Sequence, residues 1–165
     1  MLYFILITAG VILLDQATKY LTVAFLKNIY TFPIIEDVLH LTYLENTGAA
    51  FGMLKNSRWV FIVVSLVTII GIIIYYVKFP PKNKWLIAGL SFILGGGIGN
   101  MIDRILLGYV VDFIDFRIIN FAVFNVADSF VCVGAVLVLI YVFFFSDEGK
   151  KTQEKVTDGR NTDSN

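Results

Sequence analysis

Trp59-Val60-Phe61-Ile62-Val63-Val64-Ser65-Leu66-Val67-Thr68-Ile69-Ile70-Gly71-Ile72-Ile73-Ile74-Tyr75-Tyr76-Val77 runs for 19 residues without a charge or an amide side chain. At a rise of about 1.5 Å per residue, a helix of that length spans roughly 28 Å, close to the hydrocarbon thickness of a bilayer. Three further runs are nearly as clean: Met1 to Leu14, Trp85 to Gly99 and Ser129 to Phe145. Each continues through a few isolated polar residues into more apolar sequence. The reading is a mainly α membrane protein with four spanning helices, at about 2–26, 59–77, 85–103 and 126–145.

Composition agrees with a bilayer as the solvent. Hydrophobic residues make up 58% of the 165-residue chain and charged residues 16%, against about 25% charged in soluble domains. Thirteen basic and 13 acidic residues cancel, which argues against a nucleic-acid or polyanion binder. One cysteine, Cys132, excludes an intrachain disulfide framework, and one Cys with one His, His40, makes a zinc cluster implausible. The N-terminal run lacks the basic n-region and the small-x-small site of a cleaved leader. Asp15-Gln16-Ala17-Thr18-Lys19 interrupts it and Tyr20 to Leu26 resumes it, so residues 2–26 are expected to be the first helix.

Lysine and arginine set the orientation. The link Lys78-Phe79-Pro80-Pro81-Lys82-Asn83-Lys84 carries three lysines in seven residues, and the tail carries Lys150, Lys151, Lys155 and Arg160. The longer segment 27–58 has three basic residues and 103–125 has two. Both termini are therefore expected in the cytoplasm, with 27–58 and 103–125 outside. Residues 1–145 read as a single integral-membrane domain, and 146–165, polar and without apolar periodicity, as a disordered cytoplasmic tail. Outside the helices, Val38 to Leu44 and Tyr109 to Phe116 have the β-branched and aromatic enrichment of strands. Their pairing cannot be read from sequence.

Ionisable groups inside spanning helices are costly and mark function by default. Counted from the cytoplasmic end of each helix, Asp15 lies roughly 21 Å in, Asp103 roughly 27 Å and Asp128 roughly 25 Å. Asp112 follows the third helix by a short connection and can return to the same layer, near the outer interface. Local explanations compete with a shared site. Asp15 and Lys19 have the i, i+4 spacing of a helical ion pair, which favours a structural Lys19 and leaves Asp15 open between the two. Asp103 reads as structural, and Arg104 as either an interfacial anchor or a substrate contact. Gly95 and Gly99 fit close helix packing better than a nucleotide loop. Cys132 is expected to be a small core residue, and His40 a surface residue. Asp112 and Asp128 have no basic residue three or four positions away. Two carboxylates meeting in a poorly solvated site share a proton, and such a pair can activate water while polarising a carbonyl.

Five blocks complete the picture, in order: Asp15-Gln16-Ala17-Thr18-Lys19, Asn46-Thr47-Gly48-Ala49-Ala50-Phe51-Gly52, Gly99-Asn100-Met101-Ile102-Asp103-Arg104, Val110-Val111-Asp112-Phe113, and Phe124-Asn125-Val126-Ala127-Asp128-Ser129. In these blocks the chain resembles the bacterial lipoprotein signal peptidases, or signal peptidase II, over roughly residues 2–145. The resemblance implies an aspartic endopeptidase of the bacterial cytoplasmic membrane with Asp112 and Asp128 as its catalytic pair. It implies that Asn46, Gly48, Asn100, Arg104 and Asn125 hold substrate or support the carboxylates, and that Asp15 and Lys19 are mainly structural. It further implies a small extracytoplasmic β-cradle at about 28–58, between helices 1 and 2, lying on the membrane beside the cleft. Ala122 stands where many members carry proline, a departure that bears on the 117–124 loop. The implied substrates are prolipoproteins bearing a diacylglyceryl-modified cysteine, cut just before that cysteine. Membrane lipids are the other expected partner; a monomer is expected, with no nucleic acid, no metal and no cofactor. The alternative is a small ion- or proton-coupled transporter using the same carboxylates, against which the placement of the polar layer away from the midplane argues. A second alternative is a non-catalytic adaptor assembling through Gly95 and Gly99, in which the aspartates would be dispensable.

Overall fold

A computed structural model describes residues 1–48 and 57–146. Ala49 to Gly52 of the second block, and the tail beyond Ser146, lie outside the described residues. Among the described residues, four helices are long and apolar enough to cross a membrane: α1 (Leu2–Leu26), α2 (Arg58–Lys78), α3 (Lys84–Leu106) and α4 (Val126–Phe144). The third runs past Asp103 to Leu106.

The burial pattern assigns each helix its neighbours. On α1 the buried residues are Phe4, Thr8, Val11, Asp15, Lys19, Thr22 and Leu26, spaced by three or four so that they form one stripe. The rest of the helix is exposed and apolar, with Leu13, Tyr20 and Phe25 each about 70% exposed, as a lipid-facing surface requires. α3 is the centre of the bundle and packs against α1, α2 and α4. Its glycines make those contacts close. A Cβ on Gly95 would lie 2.7 Å from Val11 of α1, and one on Gly99 would lie 2.5 Å from the Asp15 carboxylate. On another face, Gly89 meets Gly134 of α4, and Gly96 meets the Ala127 carbonyl of α4. Without a hydrophobic drive between helices in lipid, such backbone approach is what holds them together.

The connections build a three-stranded antiparallel sheet in the order β1 (Thr31–Ile35), β2 (Leu39–Asn46), β3 (Val110–Phe116). Two strands come from the α1–α2 connection, and the third from the α3–α4 connection. The sheet is therefore not confined to the segment between helices 1 and 2. Asp37, at φ 58°, turns β1 into β2. β2 pairs with β3 through Leu41↔Ile114 and then, after a register shift, Leu44↔Asp112. The bulge places one extra residue on β2 and brings Asn46 beside Asp112. The 117–124 loop begins with a 3-10 turn, Arg117–Ile119, and passes through Asn120 at φ 48°. It returns along β3, where the Phe113 and Ile114 amides donate to the Phe124 carbonyl at 3.0 and 2.8 Å. That return delivers Asn125 to the start of α4.

Candidate functional site

Asn125 caps α4. Its side-chain oxygen accepts the Asp128 amide at 2.9 Å, while the Asp128 carboxylate accepts the Asn125 amide at 3.2 Å. This reciprocal capping box fixes Asp128 in the first turn. The second Asp128 oxygen accepts Asn100 Nδ2 of α3 at 2.8 Å. Asp112, 1% exposed on β3, is held from two sides. Asn46 Nδ2 donates to its Oδ2 at 2.7 Å, and Asn125 Nδ2 donates to its Oδ1 at 2.6 Å. Asn125 Nδ2 also donates to Asn100 Oδ1 at 3.1 Å. A continuous chain of amides thus links two carboxylates that are far apart in sequence.

Lys19, Asp15 and Asp103 form the layer beneath. The Lys19 ammonium lies 2.9 Å from Asp15 and 3.1 Å from Asp103, and donates to Asn100 Oδ1 at 2.8 Å. The i, i+4 pair expected on α1 is present, but it is one side of an inter-helix triad. Each carboxylate of that triad also grips backbone next to a site residue. Asp15 Oδ1 accepts the Ala127 amide at 3.0 Å, immediately before Asp128. Asp103 Oδ2 accepts the Val111 amide at 3.1 Å, immediately before Asp112. Gln16, a motif residue given no role of its own by the sequence, donates through Nε2 to Asp103 at 3.0 Å and to Asp15 at 3.2 Å. Its mark in the sequence is an amide side chain beside Asp15 in an apolar helix; that it bridges to Asp103, 87 positions away, is tertiary.

Arg104 reaches toward the same site. It donates to the Gly48 and Asn100 carbonyls, both at 3.4 Å, and its guanidinium stacks over Phe61 of α2 at 4.9 Å. Gly48 in turn donates its amide to Asn46 Oδ1 at 2.9 Å. Asp112, Asp128, Asn46, Gly48, Asn100 and Arg104 all line a cavity of about 620 Å³ that opens between α2, α3 and α4. Asn125 stands behind them, fully buried.

Two expectations need correction. His40 is 6% exposed; it sits on β2 opposite Asp115, in a polar cluster where Thr42 donates to Asp115 at 2.8 Å. Strand pairing across β2 covers it, which a lone strand-like segment could not indicate. Cys132 is exposed and lines the cavity, because α4 is packed on α3 along one side and leaves its other faces open.

Burial raises the Asp112 carboxyl to about 7, the Asp128 charge adding to the effect against the hydrogen bonds from Asn46 and Asn125. A buried carboxyl that keeps its proton near neutral pH, facing a second carboxylate in a cleft, is suited to acid–base chemistry.

Residues 7–144 match the family described as signal peptidase (SPase) II. The chain belongs to the signal peptidase II family. Among its relatives, the lipoprotein signal peptidase of Caldanaerobacter subterraneus is 52% identical over 142 residues, covering 86% of this chain and 95% of the relative. That of Brevibacillus brevis is 45% identical over 152 residues, covering 92% of this chain and all of the relative. Two solved structures described as bacterial membrane enzymes superpose with a TM-score of 0.79 each. They are 34% and 33% identical, and cover 86% and 88% of this chain and 88% and 96% of their own. As a signal peptidase II, this chain is a multi-pass membrane protease.

Proposed function

We propose that this protease is an aspartic endopeptidase that removes the signal peptide from diacylglyceryl-modified prolipoproteins, cutting before the lipid-modified cysteine, with Asp112 and Asp128 as the catalytic pair. The observation that carries the reading is the amide chain Asn46–Asp112–Asn125–Asn100–Asp128, which holds two carboxylates on one cavity. Water between them loses a proton to the ionised carboxylate as its oxygen attacks the scissile carbonyl carbon. The protonated carboxyl gives its proton to the carbonyl oxygen. The tetrahedral diol then collapses: one hydroxyl returns its proton to that second carboxylate, the C–N bond breaks, and the leaving nitrogen takes the proton that came from water. Asn46, Asn100 and Asn125 hold the carboxylates through this cycle, while Gly48 and Arg104 form the rim that meets the substrate.

The lipid on the substrate brings the scissile bond to the outer interface, where we place the carboxylates. The lysines of the α2–α3 link, Lys78, Lys82 and Lys84, are exposed at the opposite ends of the helices, consistent with cytoplasmic termini. Tyr30, Phe32, Ile34 and Ile35 of the first hairpin, and Ile118 and Ile119 of the 117–124 loop, are all more than half exposed. Such a surface suits a sheet resting on the outer face of the bacterial cytoplasmic membrane.

Cleavage of a diacylated prolipoprotein by the purified protein in bilayers tests the reading through its pH profile. The pair works with one proton, so the rate is expected to fall as pH rises through about 7, and to fall again in acid once both carboxyls are protonated; both limbs belong to the pair. A rate that keeps rising well above pH 8 would contradict a shared proton. The same raised value has a stability consequence. The folded state keeps a proton that the unfolded state releases, so this contribution is present below pH 3.8 and is lost as pH rises to about 7. Asp115 provides the control. Its carboxylate is engaged by Thr42 and by Arg117 Nε at 3.1 Å, not by the site amides. Asp115→Asn is expected to keep cleavage within about tenfold of wild type, less than loss of a general acid or base costs; an activity as low as that of a dyad variant would count against the choice of pair.

A further inference from the structure

The glycines of α3 are not equivalent. At Gly89, Gly95, Gly96 and Gly99 an added Cβ would run into α1 or α4. At Gly97 it would meet nothing within 4 Å, so helix packing does not require glycine there. Gly97 instead lines the cavity, on the stripe that includes Ile93, Asn100 and Arg104. The spacing 93, 97, 100, 104 keeps these residues on one helix face. Gly97 lies about 4.5 Å along the axis from Asn100, toward the membrane interior. At that depth the cavity is walled by Thr68 and Ile69 of α2 and by Val131 and Cys132 of α4. α2 and α4 both flank α3 without packing extensively on each other, so α3 is the floor of a lobe between them.

We propose that Gly97 is a specificity-determining position: its missing side chain keeps open a lobe, one turn below the carboxylate pair, that receives an apolar, membrane-embedded part of the substrate. The inference rests on the peptidase reading and names what the lower half of that cavity holds. A lobe with mostly apolar walls at membrane depth suits hydrocarbon. In a lipid-modified peptide, hydrocarbon comes from the acyl chains or from apolar side chains preceding the cut. In both cases the side chain at 97 limits the girth that fits.

The test compares wild type, Gly97→Leu and Gly10→Leu. Gly10 is also open to an added Cβ but lies on the exposed face of α1, away from the cavity. Each is assayed on long-chain and short-chain diacylglyceryl substrates, and on a substrate whose residues before the cut are trimmed to alanine or glycine. Gly97→Leu is expected to lower kcat/KM on the long-chain parent about tenfold or more, mainly through KM, since a few methylenes of misfit in an apolar pocket are worth that much. Gly10→Leu should match wild type. Recovery of Gly97→Leu on the short-chain substrate assigns the lobe to an acyl chain; recovery on the trimmed peptide assigns it to the signal peptide. Unchanged activity of Gly97→Leu on the parent, or a loss that neither substrate repairs, overturns the proposal. Failure of wild type itself to cleave any of these substrates would instead overturn the peptidase reading.

Discussion

Asp112→Asn and Asp128→Asn are each expected to lower cleavage by about a thousandfold or more while leaving the protein folded, since a positioned general acid or base contributes on the order of 10²–10⁴ in rate and here each carboxyl serves in both steps. Asparagine keeps the shape and still accepts hydrogen bonds through its oxygen. At 112 that oxygen can take the Asn46 or Asn125 amide; at 128 it can take Asn100 or the Asn125 amide. The amide cannot accept a proton from water or donate one to a carbonyl, so chemistry is lost before architecture. Asp112→Asn gives up one of the two amide hydrogen bonds, but it also removes the cost of burying a carboxylate charge and the repulsion from Asp128, so above pH 7 its stability should stay close to that of wild type. Thermal unfolding measured beside the cleavage assay separates the two effects. A folded Asn variant with near-normal turnover would exclude its aspartate from the chemistry.

Lys19→Met carries the second large effect, on stability. Lys19 is 3% exposed and neutralises two buried carboxylates at once. Breaking a buried ion pair from one side typically costs about 3–5 kcal/mol, because the partner charge is left without compensation, and here two are left. A fall in Tm of about 10 °C is expected for a chain of this size. The damage should reach the site, since the same carboxylates hold the amides of Ala127 and Val111, the residues just before Asp128 and Asp112. Adding Asp15→Asn to Lys19→Met should recover part of the stability, giving a coupling that separate effects do not show. Strict additivity would mean that the triad does not act as a unit.

The parts of this fold that sequence made legible were those that a bilayer enforces. Nineteen uncharged residues leave little choice for 59–77, and a carboxylate at matching depth in three helices points to a shared layer; Lys19 joins two of the three, Asp15 of α1 and Asp103 of α3, and Asn100, bonded to Lys19, holds the third, Asp128 of α4. Pairing was not legible. Nothing in Tyr109 to Phe116 says that it joins strands nearly 70 positions earlier, or that a bulge in β2 sets Leu44 opposite Asp112. β1, with Pro33 at its centre and Ile34 and Ile35 both exposed, lacks the alternation by which a strand is recognised. Within the site, the candidate carboxylates stood out because no local charge explained them. The ties from Asp15 and Asp103 to backbone amides did not, because a side chain that grips a peptide N–H leaves no mark on the residue that it grips. The exposure of Cys132 and the burial of His40 escape the sequence for a related reason: burial on a helix or strand depends on what packs beside it, and that is tertiary information.

Everything proposed for the site comes down to whether this chain cuts lipid-modified prolipoproteins through the Asp112–Asp128 pair. The most direct measurement is the mass of the products when purified wild-type protein, in bilayers, is given a defined diacylglyceryl-modified prolipoprotein and its unlipidated counterpart. A lipidated product that begins with the modified cysteine is expected, made from the lipidated substrate only. An intact lipidated substrate after prolonged incubation with folded enzyme, or a cut at some other bond, would contradict the proposed function.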